Sequence, residues 1–283
     1  MAAKNVLITG VSTGIGHGTA ATLCQRGYRV FGSIRDGAQA EALQREFGPS
    51  FTPLVFDVTD VAAIAEAAAA VERAIGDEGL FGLINNAGIS DPGPLAVVPP
   101  DNLRRHFEVN VIGALHMVQA CLPLLRKKGA AGRPGRIVNM SSTSGRIAFP
   151  FIGSYAASKH ALEGLSDSLR RELMIYGVDV IVMQPGPIDT PIWDKAQHVQ
   201  TAFKDTDYGP FLAGVNLQDN RRGALPVSRV TDKIVEALES VRPKVRYAIP
   251  DKWLLYWVLP RLLPTRWIDR IVAKTLNFRR IDD

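Results

Sequence analysis

Thr9-Gly10-Val11-Ser12-Thr13-Gly14-Ile15-Gly16 follows the apolar run at residues 6–8 and opens a stretch of helical period at residues 18–26. A glycine-rich segment with a strand before it and a helix after it is a dinucleotide-type loop rather than a generic turn. The glycines permit a tight turn and close backbone approach. The helix start offers unpaired N–H groups and the positive end of its dipole to a pyrophosphate. Gly10, Ser12, Thr13, Gly14, Ile15 and Gly16 are therefore candidate cofactor contacts.

Outward from the loop, strand-like runs at residues 6–8, 30–34, 52–56, 80–84, 136–140 and 178–184 alternate with helical stretches at 38–47, 61–75, 102–125 and 155–176. Such alternation implies parallel strands joined by crossover helices. The expected fold is α/β, a single-domain Rossmann fold over residues 1–283 whose doubly wound parallel sheet carries helices on both faces. Residues 4–190 form its cofactor and catalytic core. Residues 189–226 loosen into mixed polar, Gly and Pro composition, too long for an ordinary connection, and read as a substrate lid.

With 283 residues, 46% hydrophobic and 22% charged, the chain has the composition of a soluble globular protein that buries a core without disulfides or metals. Its two cysteines, Cys24 and Cys121, sit in helix-like stretches without C-x-x-C spacing. Neither a disulfide framework nor a zinc site is indicated, and a reducing compartment fits. The first strand starts too near Met1 for a signal peptide, so a cytoplasmic location is expected. A net charge of +5 suits an anionic cofactor but is too small a surplus to argue for nucleic acid. The five histidines lack ligand spacing, and no metal site is expected.

Chemistry-bearing residues recur after the later strands. Asp57 and Val58 follow the third, Asn85-Asn86-Ala87-Gly88 the fourth, and Pro185-Gly186-Pro187-Ile188-Asp189-Thr190 the sixth. Tyr155-Ala156-Ala157-Ser158-Lys159 lies at a helix start, with Ser142 thirteen residues earlier in a serine-rich turn. On a helix, four-residue spacing puts Tyr155 and Lys159 on one face, one turn apart. A free phenol is too weak a base near neutral pH, and a neighbouring ammonium lowers its pKa by favouring phenolate. Asn110, inside the long central helical stretch, has poor helix propensity, which points to a special role.

T-G-x-x-x-G-I-G, N-N-A-G, Y-x-x-x-K and P-G-x-x-x-T, in this order over residues 4–190, resemble the short-chain dehydrogenase/reductase family, in particular its hydroxysteroid and retinol dehydrogenase-like members. The resemblance implies hydride transfer between a nicotinamide cofactor and an alcohol or ketone carbon. Tyr155 would transfer the proton, Ser142 orient the substrate oxygen, Lys159 support the phenol and hold the nicotinamide ribose, and Asn110 anchor a water in a proton relay. Asp57, Val58, Asn86, Ala87 and Gly88 would line the cofactor, and Pro185, Gly186, Ile188 and Thr190 would meet its nicotinamide end.

The family's spacing puts the NAD-selecting acid on Ile34 and the NADP-selecting base on Arg35, which favours NADP(H) over NAD(H). Thr13 on the loop is a further hydroxyl donor for the phosphate. Asp36, about twenty residues beyond the loop, is the competing reading, with its carboxylate on the ribose. Two other functions share the motifs. A non-catalytic NADP-sensing or scaffold protein on the same fold is opposed by the intact Asn110, Ser142, Tyr155 and Lys159. An epimerase or dehydratase of the family's extended branch is opposed by the loop spacing and the lack of a sizeable C-terminal substrate domain.

Ile192, Trp193, Phe203, Tyr208, Phe211 and Leu212 in the lid suit a bulky hydrophobic substrate of steroid, retinoid or lipid type, or else pack on the core. Residues 251–283 join an apolar, tryptophan-rich run to Arg261, Arg266, Arg270 and Lys274. That run is far short of the ~20 residues needed to span a bilayer. The tail therefore lies in a membrane interface, closes over a substrate entrance, or covers the core or a subunit contact. The family's usual homodimers and homotetramers pair long helices such as those near 102–125 and 155–176.

Overall fold

The strands carry apolar residues at successive positions. In the computed structural model, which describes residues 4–129, 132–192, 198–213 and 223–279, both sets find a core. β1 (Asn5–Ile8), β2 (Arg29–Ile34), β3 (Phe51–Val55), β4 (Leu80–Asn85), β5 (Arg136–Met140), β6 (Asp179–Pro185) and β7 (Arg246–Ile249) form one sheet in the order β3-β2-β1-β4-β5-β6-β7. Every pairing is parallel. The helices are α1 (Gly14–Gln25), α2 (Ala40–Phe47), α3 (Val61–Ile75), α4 (Pro100–Phe107), α5 (Gly113–Leu125), α6 (Gly153–Glu172), α7 (His198–Ala202), α8 (Gly209–Ala213), α9 (Ser228–Glu239), α10 (Leu259–Leu262) and α11 (Thr265–Thr275).

Successive strand side chains point to opposite faces. Ile8, Ile84, Val138 and Ile181 pack with Leu23 of α1, Leu43 of α2 and Ile234 of α9. Their neighbours Leu7, Leu83, Ile137 and Val180 pack on the other side with Val71 of α3, Met117 and Cys121 of α5 and Leu169 of α6. A parallel sheet needs this double cover, and the doubly wound expectation is met. The edge strand β7 and the helix α9 are additions to the expected elements. β1 has β2 on one side and β4 on the other, so the winding reverses between β1 and β4 and a crevice opens at their C-terminal ends.

The long helix expected at 102–125 is continuous but not uniform. Between α4 and α5 the turn Glu108–Ile112 is a π-helix, a widening found often at functional positions. Immediately after it, Gly113 lies so close to Val58 that an added Cβ would meet that side chain at 2.9 Å. The helical run Pro100–Leu125 is long enough and, over its most apolar 18 residues with a mean hydropathy of 1.4, apolar enough to cross a membrane by length and composition. Here its apolar side, including Met117, Val118, Cys121 and Leu125, is packed in the core between sheet and helices.

One buried charge ties the right-hand strands together. Arg136 is only 1% exposed. Its Nε pairs with Asp179 Oδ2 at 3.2 Å, and its Nη1 donates to the carbonyls of Ala237 and Leu238 at 2.8 and 2.9 Å. A cation thus closes the C-terminal carbonyls of α9 and joins it to β5 and β6. Arg136→Ala strands those carbonyls and removes the packed stem, and should lower unfolding free energy by about 3 kcal/mol in a urea titration. A loss under about 0.5 kcal/mol would show that the network adds nothing to stability.

Candidate functional site

The glycine loop runs from the end of β1 into α1. Gly10 and Gly14 adopt φ of 72° and 62°, where a side chain would be strained. Thr13, at the N-cap of α1, makes no side-chain cap bond, so the first-turn N–H groups keep no partner from that side chain. Gly16 has no room for a Cβ, which would lie 2.1 Å from the Gly10 carbonyl oxygen and 2.4 Å from Asn86 Nδ2. Ser12 is partly buried and Thr13 exposed, beside the same helix start. A helix N-terminus without a side-chain cap, behind a turn opened by Gly10 and Gly14, is a cradle for an anionic group.

β4 holds this loop in place. Asn86 Nδ2 donates to the carbonyls of Thr9 and Gly10, both at 2.9 Å. In return Thr9 Oγ1 accepts from the N–H groups of Asn86 and Ala87 at 3.0 and 2.9 Å. Ala87 lies directly under Gly10. Thr190 closes the loop from the far side, its methyl 3.2 Å from where a Gly14 Cβ would stand. The segment before it is anchored by Gly186 N–H donating to Ile249 at 3.0 Å and by Ile188 bridging to Leu225.

At the end of β2, Ile34 is buried in the core while Arg35 and Asp36 are exposed. Asp36 Oδ1 accepts from Ala38 N–H at 2.9 Å and so caps the turn that follows. After β3, Asp57 Oδ1 accepts from both the N–H and the hydroxyl of Thr59 at 2.9 Å, and Val58 is buried against Gly113.

The catalytic candidates meet behind the loop. The π-turn directs Asn110 toward the backbone after Gly88: its Oδ1 accepts from Ile89 N–H at 2.8 Å and its Nδ2 donates to Ile89 O at 3.0 Å and to Ser158 Oγ at 2.9 Å. Ser158 passes the connection on by donating to Tyr155 O at 2.7 Å. Gly88 fits between Asn110 and Lys159, with an added Cβ 3.2 Å from Asn110 Oδ1 and 3.6 Å from Lys159 Nζ. Lys159 is buried, donates to Met140 O at 2.7 Å, and has its Nζ 5.6 Å from the Tyr155 ring centre. Ser142 Oγ accepts from Ser144 N–H at 3.1 Å and stands within hydrogen-bonding reach of the Tyr155 phenol.

Electrostatics corrects one expectation. Burial pushes the Tyr155 phenol above its ordinary value, and the contact with Ser142 only partly opposes this. Lys159 therefore does not bring the phenol below its usual range. Its own ammonium is instead brought down to about 8, because burial penalises the charge more than the carboxylate of Glu163 restores it. Glu163 is a residue that motif reasoning missed. It is buried and accepts from Gln184 Nε2 at 2.8 Å and Arg246 Nε at 2.8 Å, with Arg146 at 3.1 Å. Its spacing of four from Lys159 was the available signal.

Of the lid residues, Trp193 lies outside the described residues and Ile192 is exposed. Leu212 is buried with Phe151 and Val199 in a third, small core, against which Phe203, Tyr208, Phe211, Leu276 and Phe278 pack. The described lid thus packs on the C-terminal end of the chain. Elsewhere in the tail, Trp257 is buried while Trp253, Leu254, Leu255, Leu262, Trp267 and Ile271 are exposed.

A family model for short chain dehydrogenases matches residues 4–201. An NADPH-dependent 3-dehydrocapnine reductase of Ornithobacterium rhinotracheale is 39% identical, over 97% of this chain and 98% of that protein. Human 17-beta-hydroxysteroid dehydrogenase type 6 is 33% identical, over 96% and 88%. Among solved structures, a short chain dehydrogenase from Burkholderia cenocepacia in complex with NADP superposes with a TM-score of 0.70 at 26% identity, over 98% of this chain and 99% of that one.

The cradle depends on the missing Cβ of Gly16. Gly16→Ala drives a methyl into the Gly10 carbonyl and the Asn86 amide, and should cost about 1–3 kcal/mol of stability in urea unfolding. A variant as stable as the parent would mean that the loop opens freely at this point.

Proposed function

The chain belongs to the short-chain dehydrogenase family, and on that footing we propose that it is an NADP(H)-dependent oxidoreductase interconverting a secondary or primary alcohol and its ketone or aldehyde. The observation that carries the reading is the meeting of the buried Ser142, Lys159 and Asn110 with the partly buried Tyr155 at the C-terminal ends of the central strands. Its substrate is a small molecule, and the apolar character of the lid favours a bulky hydrophobic one of steroid, retinoid or lipid type.

Gly10, Ser12, Thr13, Gly14, Ile15 and Gly16 receive the cofactor's pyrophosphate at the open N-terminus of α1. Asp57, Val58, Asn86, Ala87 and Gly88 would line the bound cofactor, and Pro185, Gly186, Ile188 and Thr190 would meet its nicotinamide end. Arg35 selects the 2′-phosphate. Two features support it over the competing carboxylate: Arg35 is exposed at the strand end, and Asp36 is occupied with its own turn. When bound, the nicotinamide supplies or accepts the hydride.

In reduction, Tyr155 donates its proton to the carbonyl oxygen as that oxygen gains negative charge, while the Ser142 hydroxyl holds the same oxygen in place. Lys159 stabilises the phenolate left behind, and Asn110 holds the Gly88–Ile89 turn and Ser158 in register with Tyr155. Oxidation runs the same path backwards. A non-catalytic NADP-sensing role is the second reading.

The remaining parts belong to the same proposal. The protein acts in the cytoplasm, where the exposed tryptophans of the tail and its arginines give it a peripheral membrane contact. It pairs as a homodimer or homotetramer through the long helices; the exposed Met174, Ile175 and Tyr176 after α6 support such a contact.

Because the phenol sits high, it is protonated across neutral pH and ready to act as an acid. Reduction should therefore be level through neutral pH and fall as Lys159 loses its proton near about 8. Oxidation, which needs phenolate, should rise with pH over the same range. Tyr155→Phe should lower kcat by at least about 100-fold with the fold intact, and a variant as active as the parent overturns the assignment.

A substrate panel followed at the nicotinamide absorbance with NADP and NAD side by side tests the cofactor reading. Arg35→Ala should reduce the NADP preference in kcat/KM by about tenfold or more. Equal or better turnover of the parent with NAD defeats the role given to Arg35.

A further inference from the structure

Phe151 is one of two described non-glycine residues with positive φ, at 69°. A bulky side chain in that conformation is strained, and such strain persists only where the surroundings impose it. Phe151 stands four residues before Tyr155, at the entry to α6. Its carbonyl accepts from Gly93 N–H at 2.6 Å, in the loop that begins at Gly88 and is held at Ile89 by Asn110. Its ring is held by aromatic edges: Tyr208 at 6.2 Å and Phe278 at 5.9 Å between centroids, both T-shaped.

Phe278 also meets Phe211 of α8 edge-on at 5.2 Å. Phe203, which follows α7, presses so closely on Gly93 that an added Cβ there would be 2.9 Å from its ring. Three segments remote in sequence thus converge on one point: the entry to the Tyr155 helix, the α7–α8 pair of the lid, and the end of the tail. The tail arrives last. Among the described residues, Leu276 and Phe278 are the part of it that enters this small core.

We propose that Phe278 is a positioning residue for substrate specificity: its ring locks α7–α8 onto Phe151, so that the C-terminal end of the chain sets the fit of a bulky substrate over Tyr155. The proposal rests on Tyr155 being the proton-transfer group and adds to it a determinant outside the family-matched residues 4–201. Phe278 touches no reacting atom and acts through Phe151 and Phe211. Its loss should loosen the substrate side and leave the proton-transfer group as it is.

The test uses the full chain with Phe278→Ala, Phe278→Tyr and Phe151→Gly. Phe278→Ala should raise KM for a bulky apolar ketone about tenfold while kcat changes by less than about twofold, and should leave the pH profile unmoved. Phe278→Tyr, which keeps the ring, should stay at parental values. Phe151→Gly removes the ring while allowing the positive φ; it should raise KM similarly, and adding Phe278→Ala to it should raise KM no further.

Tryptic cleavage after Lys204, exposed between α7 and α8, gives a readout that needs no turnover and should accelerate in Phe278→Ala. Unchanged cleavage together with unchanged KM overturns the proposal, as does strict additivity of the two substitutions. A fall in kcat equal to the change in kcat/KM overturns it as well. Failure of the reaction reading would appear separately, as full activity in Tyr155→Phe with the cleavage difference preserved.

Discussion

Where β1 and β4 part company, four hydrogen bonds between Thr9, Gly10, Asn86 and Ala87 replace the ladder that the diverging backbones can no longer make. Each is worth only about 1 kcal/mol net, yet leaving these groups buried and unmade costs more than making them returns. The constraint is geometric as much as energetic. Asn86 stops the loop from collapsing onto β4, and the absence of a Cβ at Gly16 lets the amide reach two carbonyls at once. The open helix start, the Gly88 turn and the contact with Asn110 all follow from this stitch.

Behind it the site is dominated by one buried ammonium. Burial brings the Lys159 ammonium down to about 8 and the Glu163 carboxylate opposes it, while the Nζ donates to the Met140 carbonyl. Glu163 in turn is neutralised by Arg246 and Arg146 and bonded by Gln184. A chain of alternating charges therefore runs from Lys159, beside Tyr155, through Glu163 to Arg246 on the outer strand β7. Burying it gives up stability that an apolar core of the same shape would retain. What it returns is a cation of fixed position beside a phenol whose own burial keeps it protonated.

The parts of this arrangement legible in the sequence are those fixed by local geometry. Tyr155 and Lys159 are four apart because a helix puts that spacing on one face, and the glycines of residues 9–16 mark a turn that only small residues make. The two-faced sheet was legible because both faces of β1, β4, β5 and β6 are apolar. The π-turn was not, since nothing in Glu108–Ile112 announces it; Asn110 needs it to reach Ile89, which lies 21 residues away. Nor were the partners of Glu163, which come from Gln184, 21 residues on, and Arg246, 83 residues on. Treating Tyr155 and Lys159 as an isolated pair pointed the phenol the other way, because it left out the burial of the ring, which raises the phenol and is only partly opposed by Ser142.

The lid was the most ambiguous segment, and the reason is physical. Apolar residues in an irregular stretch look alike whether they face a ligand or one another. What separates the two is a partner from elsewhere, and here the partner is the last part of the tail. The reacting groups are carried by strands and long helices buried in the two main cores. The described substrate side is carried by a separate small core of Phe151, Val199 and Leu212. Among the described residues the two meet at the backbone between Gly88 and Gly93 and at the entry to α6. The group around Tyr155 and the small core are thus built from different parts of the chain, which is why the one was legible from local spacing and the other was not.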